Sequence, residues 1–127
     1  MTVQLNHTIV PAHDKHESAQ FLADILGIEV GGEVPPFVQV HLGNDVTLDY
    51  MNSAGFSSQH VAFLVDDDVF DAAHARLRER GVQTWADPDH SKPGAINTRW
   101  GGRGVYFRDP NGHNLEIMTA APDRPRS

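Results

Sequence analysis

The stretch Gly104-Val-Tyr-Phe-Arg-Asp-Pro-Asn-Gly-His-Asn-Leu-Glu-Ile-Met118 decides how the rest of the chain is read. Val105 to Phe107 favours a strand. Asp109-Pro-Asn-Gly112 is a turn, since proline fixes φ and Asn-Gly tolerates positive φ. His113 to Met118 alternates, with Leu115 and Ile117 on one face and Asn114, Glu116 and Met118 on the other, so the stretch is a hairpin. Glu116 then sits mid-strand among apolar neighbours. A carboxylate is seldom buried there without a partner, because desolvating a charge is costly.

Upstream, Leu5 to Val10 reads as a strand ended by Pro11, with Leu5, His7 and Ile9 on one face. Asp14 is an N-cap, and Glu17 completes a capping box. Phe21, Leu22, Ile25 and Leu26 form the apolar stripe of a helix that Gly27 stops. Ile28 to Val30 opens a strand. Phe37 to Leu42 and Val46 to Met51 are two more, turning at Gly43-Asn44. A small, polar linker follows, and then the order repeats. His60 to Val65 is a strand. Asp66-Asp67-Asp68 caps a helix that buries Phe70, Ala73 and Leu77 and stops at Gly81. Val82 to Trp85 is a short strand, Asp87 to about Gly102 a long loop, and the quoted hairpin closes the order. Residues 120–127, with Pro122 and Pro125, read as a polar tail expected to fray.

The chain is therefore β-α-β-β-β twice. The expectation is one α+β domain over 1–127, with module one at about 4–52, a linker at about 53–58 and module two at about 59–119. The halves keep register. His7 and His60 stand at nearly the same offset as the stop glycines Gly27 and Gly81. Each half also carries a carboxylate in its last strand, Asp49 and Glu116. The longer spacing in the second half matches the 87–102 loop.

Composition narrows the classes. The chain has 127 residues, 39% hydrophobic and 21% charged, which suits one soluble domain with a proper core. A net charge of −7 argues against nucleic acid and anionic membranes as partners. No apolar run approaches the roughly 20 residues of a membrane span, and the N-terminus lacks the pattern of a signal peptide. The absence of cysteine excludes disulfides, thiolate metal sites and thiol catalysis, and fits a cytoplasmic protein. Eight histidines are high for this length.

Two histidines in first strands and an acid in a last strand suggest a metal site. Imidazole and carboxylate suit Zn, Ni, Mn and Fe(II), and such a triad leaves positions open for substrate. Taken singly, His7 or His60 is more simply a strand histidine bonded to backbone. The repeat favours the metal reading, because matching positions in paired modules become neighbours. His41 shares a strand face with Phe37 and Gln39. Loops as long as 87–102 often act as lids, so His90, Arg99, Trp100 and Arg103 are candidates to reach a substrate, or else line a solvated loop. Tyr50 and Tyr106 are core aromatics by default, each with a proton to donate. Gly101-Gly102-Arg103-Gly104 lacks a P-loop's Lys-Ser/Thr and reads as backbone flexibility.

The chain resembles the vicinal oxygen chelate superfamily, which includes glyoxalase I, extradiol dioxygenases, fosfomycin-resistance thiol transferases and bleomycin-binding proteins. The resemblance covers Leu5 to Met118. It is most specific in the final hairpin, and extends to the module-opening strands Leu5-Asn-His7-Thr-Ile-Val and His60-Val-Ala-Phe-Leu-Val. It implies two paired βαβββ modules forming a half-open sheet cup, with His7, His60 and Glu116 as ligands of a divalent ion (Fe, Mn, Ni or Zn). Where glyoxalase I has a fourth ligand, Glu, this chain offers Asp49, which is one methylene shorter.

The functional expectation is a metal-dependent enzyme acting on a small substrate through vicinal oxygens, by lyase/isomerase or ring-cleavage dioxygenase chemistry. Asp49 and Tyr106 would move protons, and His41, His90, Arg99, Trp100 and Arg103 would contact substrate. Open sheets of this kind tend to pair, so a homodimer is expected. The competing expectation is a non-catalytic, bleomycin-resistance-like binder of small molecules.

Overall fold

In a computed structural model, residues 2–126 are described. Module one runs β1 (His7–Ala12), α1 (Lys15–Leu26), β2 (Gly32–Val34), β3 (Phe37–His41) and β4 (Thr47–Asn52). Module two runs β5 (His60–Leu64), α2 (Asp67–Glu79), β6 (Thr84–Trp85), β7 (Gly104–Arg108) and β8 (Asn114–Met118), with a 3-10 turn at Arg99–Gly101. The expected β-α-β-β-β order is present in both.

Local chemistry sets the helix ends. The Asp14 carboxylate accepts from the N–H groups of His16 and Glu17, and Asp66 accepts from Val69 N–H. Gly27 ends α1 in the left-handed region at φ 73°. Two expected strand starts are absent for one reason. Ile28 N–H donates to Ala23 O at 3.0 Å, and Val82 N–H donates to Leu77 O at 2.9 Å. Each is the backbone exit of its helix, so pairing begins only at Gly32 and Thr84. β1 runs through Pro11, where the sequence reading ended it. Pro11 stands opposite Met51 on an edge strand, and proline is tolerated there because no outer partner needs its N–H. Gly27→Ala should destabilise by about 1–2 kcal/mol, because a side chain is strained at positive φ. Urea unfolding would measure it.

Each module forms a four-stranded mixed sheet, ordered β1-β4-β3-β2 and β5-β8-β7-β6. The first strand pairs parallel with the last in both. Ile9 stands opposite Asp49, and Ala62 opposite Glu116. In each module the first-strand histidine therefore precedes the acid's partner by two residues, on the same sheet face. The repeat seen in the sequence is a repeat of register.

One core serves both modules. Leu22 and Ile25 of α1 and Phe70, Ala73 and Leu77 of α2 join Val38, Val40 and Leu48 of one sheet and Phe63, Val105, Phe107, Leu115 and Ile117 of the other. The helices pack together, with Arg76 donating to Ile25 O at 3.1 Å and Arg80 paired to Asp24 at 3.1 Å. The sheet faces turned away from this core carry His7, Asp49, His60 and Glu116.

The β7–β8 turn also joins the modules. The Asp109 carboxylate accepts from Asn111 and His113 N–H groups, each at 2.9 Å, and from the Ser18 hydroxyl at 3.2 Å. His113 is fully buried: Nε2 donates to Pro11 O at 2.6 Å while Nδ1 accepts from Gln59 N–H at 2.9 Å. Phe56 lies between the His13 and His113 rings, with centroids at 4.9 and 5.1 Å. The small, polar linker thus contributes one aromatic to this junction.

The expected fraying is not seen in the described part of the tail. Ala120 and Ala121 are buried, Arg126 N–H donates to Trp100 O at 2.7 Å, and the Arg126 guanidinium pairs with Asp67 at 2.8 Å. Ser127 lies outside the described residues.

Candidate metal centre

Glu116 occupies β8, between β5 and β7, which is why a mid-strand carboxylate is buried. Its partner is His60. The His60 Nε2 lies 3.0 Å from Glu116 Oε1, at the edge of an open face where His60 is still half exposed. Tyr106 stands directly opposite Glu116 on β7, and its ring lies 5.5 Å from that of His60. Arg99 donates to the Tyr106 hydroxyl at 3.3 Å and is ion-paired to Asp87. A cavity of about 260 Å³ opens over this group, walled by Glu116, Tyr106, Arg99, Trp100, Arg103 and Met118.

The other expected site residues divide by module. His90 stacks flat on Trp85 at 3.7 Å and reaches Asn114 Oδ1 at 3.0 Å, on the sheet face that carries Glu116. Arg103 is held by Asp71 at 2.6 Å and Asp67 at 3.2 Å, with its guanidinium over the Phe70 ring. Trp100 is about half exposed at the cavity rim. His7, His41 and Asp49 lie on the other sheet. His7 is exposed and bonded to Asn6 at 2.8 Å, and Asp49 accepts from Gln39 at 3.1 Å. His41 bonds Thr47 at 3.0 Å and lines a separate, largely apolar hollow of about 380 Å³. Among the described residues, no three His, Asp or Glu side chains cluster closely enough to hold a metal.

The donors fit a divalent ion as part of a site. An imidazole nitrogen and a carboxylate oxygen converge at the mouth of a cavity, and both are ordinary ligands for the ions expected. One chain supplies two of the three expected donors there. The third, His7, faces outward from an open sheet.

Burial raises the Tyr106 pKa, and the neighbouring Glu116 charge adds to the rise. Tyr50, in the core, is raised further by burial and by the charge of Asp109. Both phenols favour the neutral form in the fold. The stability they contribute is complete below the ordinary value of 10.0 and is lost as pH climbs through their raised values. In metal-free protein, the tyrosinate absorbance of both tyrosines should rise with midpoints above the ordinary 10.0, Tyr50 last. A transition below that value would contradict the burial seen here.

Trp85 and Asp87 escaped the sequence reading. Trp85 pairs with Tyr106 across β6 and β7, and strand alternation carried from Glu116 through Tyr106 would have placed it on the same face. No local signal marks Asp87, because its role depends on where Arg99 folds back.

Comparisons with known proteins follow the same lines. The family model described as Glyoxalase/Bleomycin resistance protein/Dioxygenase superfamily matches residues 4–117. A solved structure described as "Oxidase ChaP-H2" is 60% identical, with TM-score 0.93 over 95% of this chain and 96% of that one. "Glutathione transferase FosA" of Serratia marcescens is 25% identical over 92% of this chain and 81% of its own length. "Metallothiol transferase FosB" of Shouchella clausii (strain KSM-K16) is 38% identical over 63 residues, 50% of this chain but only 39% of that protein.

Proposed function

Because the chain belongs to the glyoxalase/bleomycin resistance protein/dioxygenase superfamily, we propose that it is a metal-dependent, oxygen-using enzyme acting on a small substrate with two adjacent oxygens. The observation that carries this reading is the His60–Glu116 pair at 3.0 Å, whose carboxylate opens onto the Tyr106 cavity. His60 and Glu116 of one chain would hold the ion together with His7 of a second copy, in a homodimer with two such sites. Support for the second copy is geometric. β1 and β5 are both edge strands, and His7 and His60 are both exposed. The lack of cysteine agrees with a cytoplasmic location.

A bound divalent ion would polarise the substrate's two oxygens and, as iron(II), support reaction with dioxygen. The chain's own residues do the rest. Tyr106, kept neutral, offers its hydroxyl proton to a substrate oxygen, and Arg99 steadies that hydroxyl from the other side. Asp87 holds Arg99 in place. Trp100 and Met118 wall the cavity beside Glu116, which limits water around the reacting atoms, while His90, stacked on Trp85, bonds Asn114 on the same sheet face. Asp49, brought to the site by the second copy, would accept a proton, with Gln39 fixing its carboxylate.

Oxygen chemistry is favoured over thiol transfer or isomerisation on two grounds. The 60% identical relative is named an oxidase. The cavity's cations are also already engaged, Arg99 by Asp87 and Arg103 by Asp67 and Asp71, which leaves them poorly placed for an anionic phosphonate or a glutathione carboxylate. Oxygen uptake by protein purified anaerobically and loaded with iron(II), tested on catechols and other vicinal oxygen compounds, checks the reading. Uptake that Tyr106→Phe lowers about a hundredfold is the expected result. Turnover of a hemithioacetal with zinc or nickel and without oxygen would replace it with the isomerase reading.

A further inference from the structure

The run Gly101-Gly102-Arg103-Gly104 has a use in this fold that flexibility does not explain. A Cβ on Gly101 would collide with the Arg126 carbonyl. A Cβ on Gly102 would lie 2.6 Å from the Thr119 hydroxyl and 2.7 Å from the Ala120 methyl. The two glycines are small because residues 119–126 lie directly across them. Just before them, Trp100 is held at φ 60°, a region that a non-glycine residue occupies only where its surroundings enforce it.

Those surroundings are identifiable. Arg126 N–H donates to Trp100 O at 2.7 Å, and Thr119 Oγ1 accepts from Arg103 N–H at 2.9 Å. Asp67 accepts from both Arg126, at 2.8 Å, and Arg103, at 3.2 Å, so one carboxylate ties residues 120–126 and the glycine run to the start of α2. Ala120 and Pro122 themselves line the cavity over Glu116, beside Trp100 and Arg103.

We propose that residues 120–126 form a strap that fixes the Trp100 turn as the outer wall of the Glu116 cavity, with Arg126 as its positioning residue. The strap sets how far the indole stands over the cavity, and therefore the size of ligand admitted. Its bearing on ligand choice rests on the metal-centre reading above, but its structural content does not.

The test follows Trp100 alone, in a Trp85→Phe background that removes the other of the two tryptophans. Acrylamide quenching of the indole is compared between that background, Arg126→Pro and Arg126→Lys. Arg126→Pro removes both the N–H bonded to Trp100 and the guanidinium bonded to Asp67. Arg126→Lys keeps the N–H and the charge. The quenching constant should rise about twofold or more in the proline variant, as a held turn becomes locally mobile, and stay at the background value in the lysine variant. Quenching unchanged in Arg126→Pro, or raised equally in Arg126→Lys, overturns the strap. If the proline variant does not fold, Arg126→Ala, which removes the guanidinium bond to Asp67 while Arg103 stays bonded there, must show a rise above the lysine variant. Metal content measured on the same samples separates the two ideas. A strap that releases Trp100 leaves metal content at the background level, whereas failure of the metal reading would show as absence of metal from the unsubstituted protein, measured alongside.

Discussion

Glu116→Gln is expected to leave the fold intact and to weaken divalent metal binding by at least about a hundredfold, beyond what loss of a supporting contact alone produces. The substitution keeps the shape of the side chain and a group able to bond His60 at 3.0 Å. It removes the negative charge, which is the property a cation requires. Glu116 is nearly buried on a strand between two others, so the amide remains packed where the carboxylate was. Metal-free protein should be no less stable for the change, since desolvating a carboxylate is costly and the amide keeps the side chain's shape and its bonding to His60. Isothermal titration with Mn(II) or Fe(II), beside a thermal melt of the metal-free protein, reads both quantities. A variant that binds as tightly as the parent would remove Glu116 from the centre.

The largest effect on stability is expected at His113, a residue with no part in the metal chemistry. Its ring closes the junction between modules by accepting Gln59 N–H and donating to Pro11 O. His113→Ala leaves that N–H and that carbonyl without partners in a partly buried place, each costing about 1–3 kcal/mol. It also opens a cavity beside Phe56. The sum should be about 3–5 kcal/mol, a large share of the 5–15 kcal/mol typical of a domain. Urea unfolding of the metal-free protein should show a lowered midpoint with an unchanged slope. A loss under about 0.5 kcal/mol, the range of ordinary surface substitutions, would mean that the junction is carried elsewhere.

Much of the fold is legible in the sequence because its punctuation is local. Asp14, Gly27 and Asp66 act through bonds to residues within a turn, and the apolar stripes of α1 and α2 follow the helical period. Ile28 and Val82 mislead because their apolar character suggests strands while their N–H groups are already engaged in closing helices. The site is legible in part. The alternation of β8 places Glu116 on the face opposite to Leu115 and Ile117, and the repeat singles out His7 and His60, of which only His60 lies beside Glu116 in the chain, at 3.0 Å. The burial of His113, the seat of Phe56 and the ordering of residues 120–126 depend on contacts between distant segments, which no local pattern encodes. The same holds for Asp49 and His41. Their strand faces are readable, but the sheet they belong to does not bring them to Glu116 within the chain.

The central claim is that one metal centre takes His60 and Glu116 from one chain and His7 from another. Mixing two variants tests it most directly. His7→Ala and His60→Ala should each bind no metal tightly when alone. After joint unfolding and refolding, each mixed dimer would contain one site with both lesions and one with none. Tight binding and activity should therefore return in the mixture, in the fraction set by random pairing. Mixtures as empty as either parent variant, although mixed dimers have formed, would contradict a shared centre.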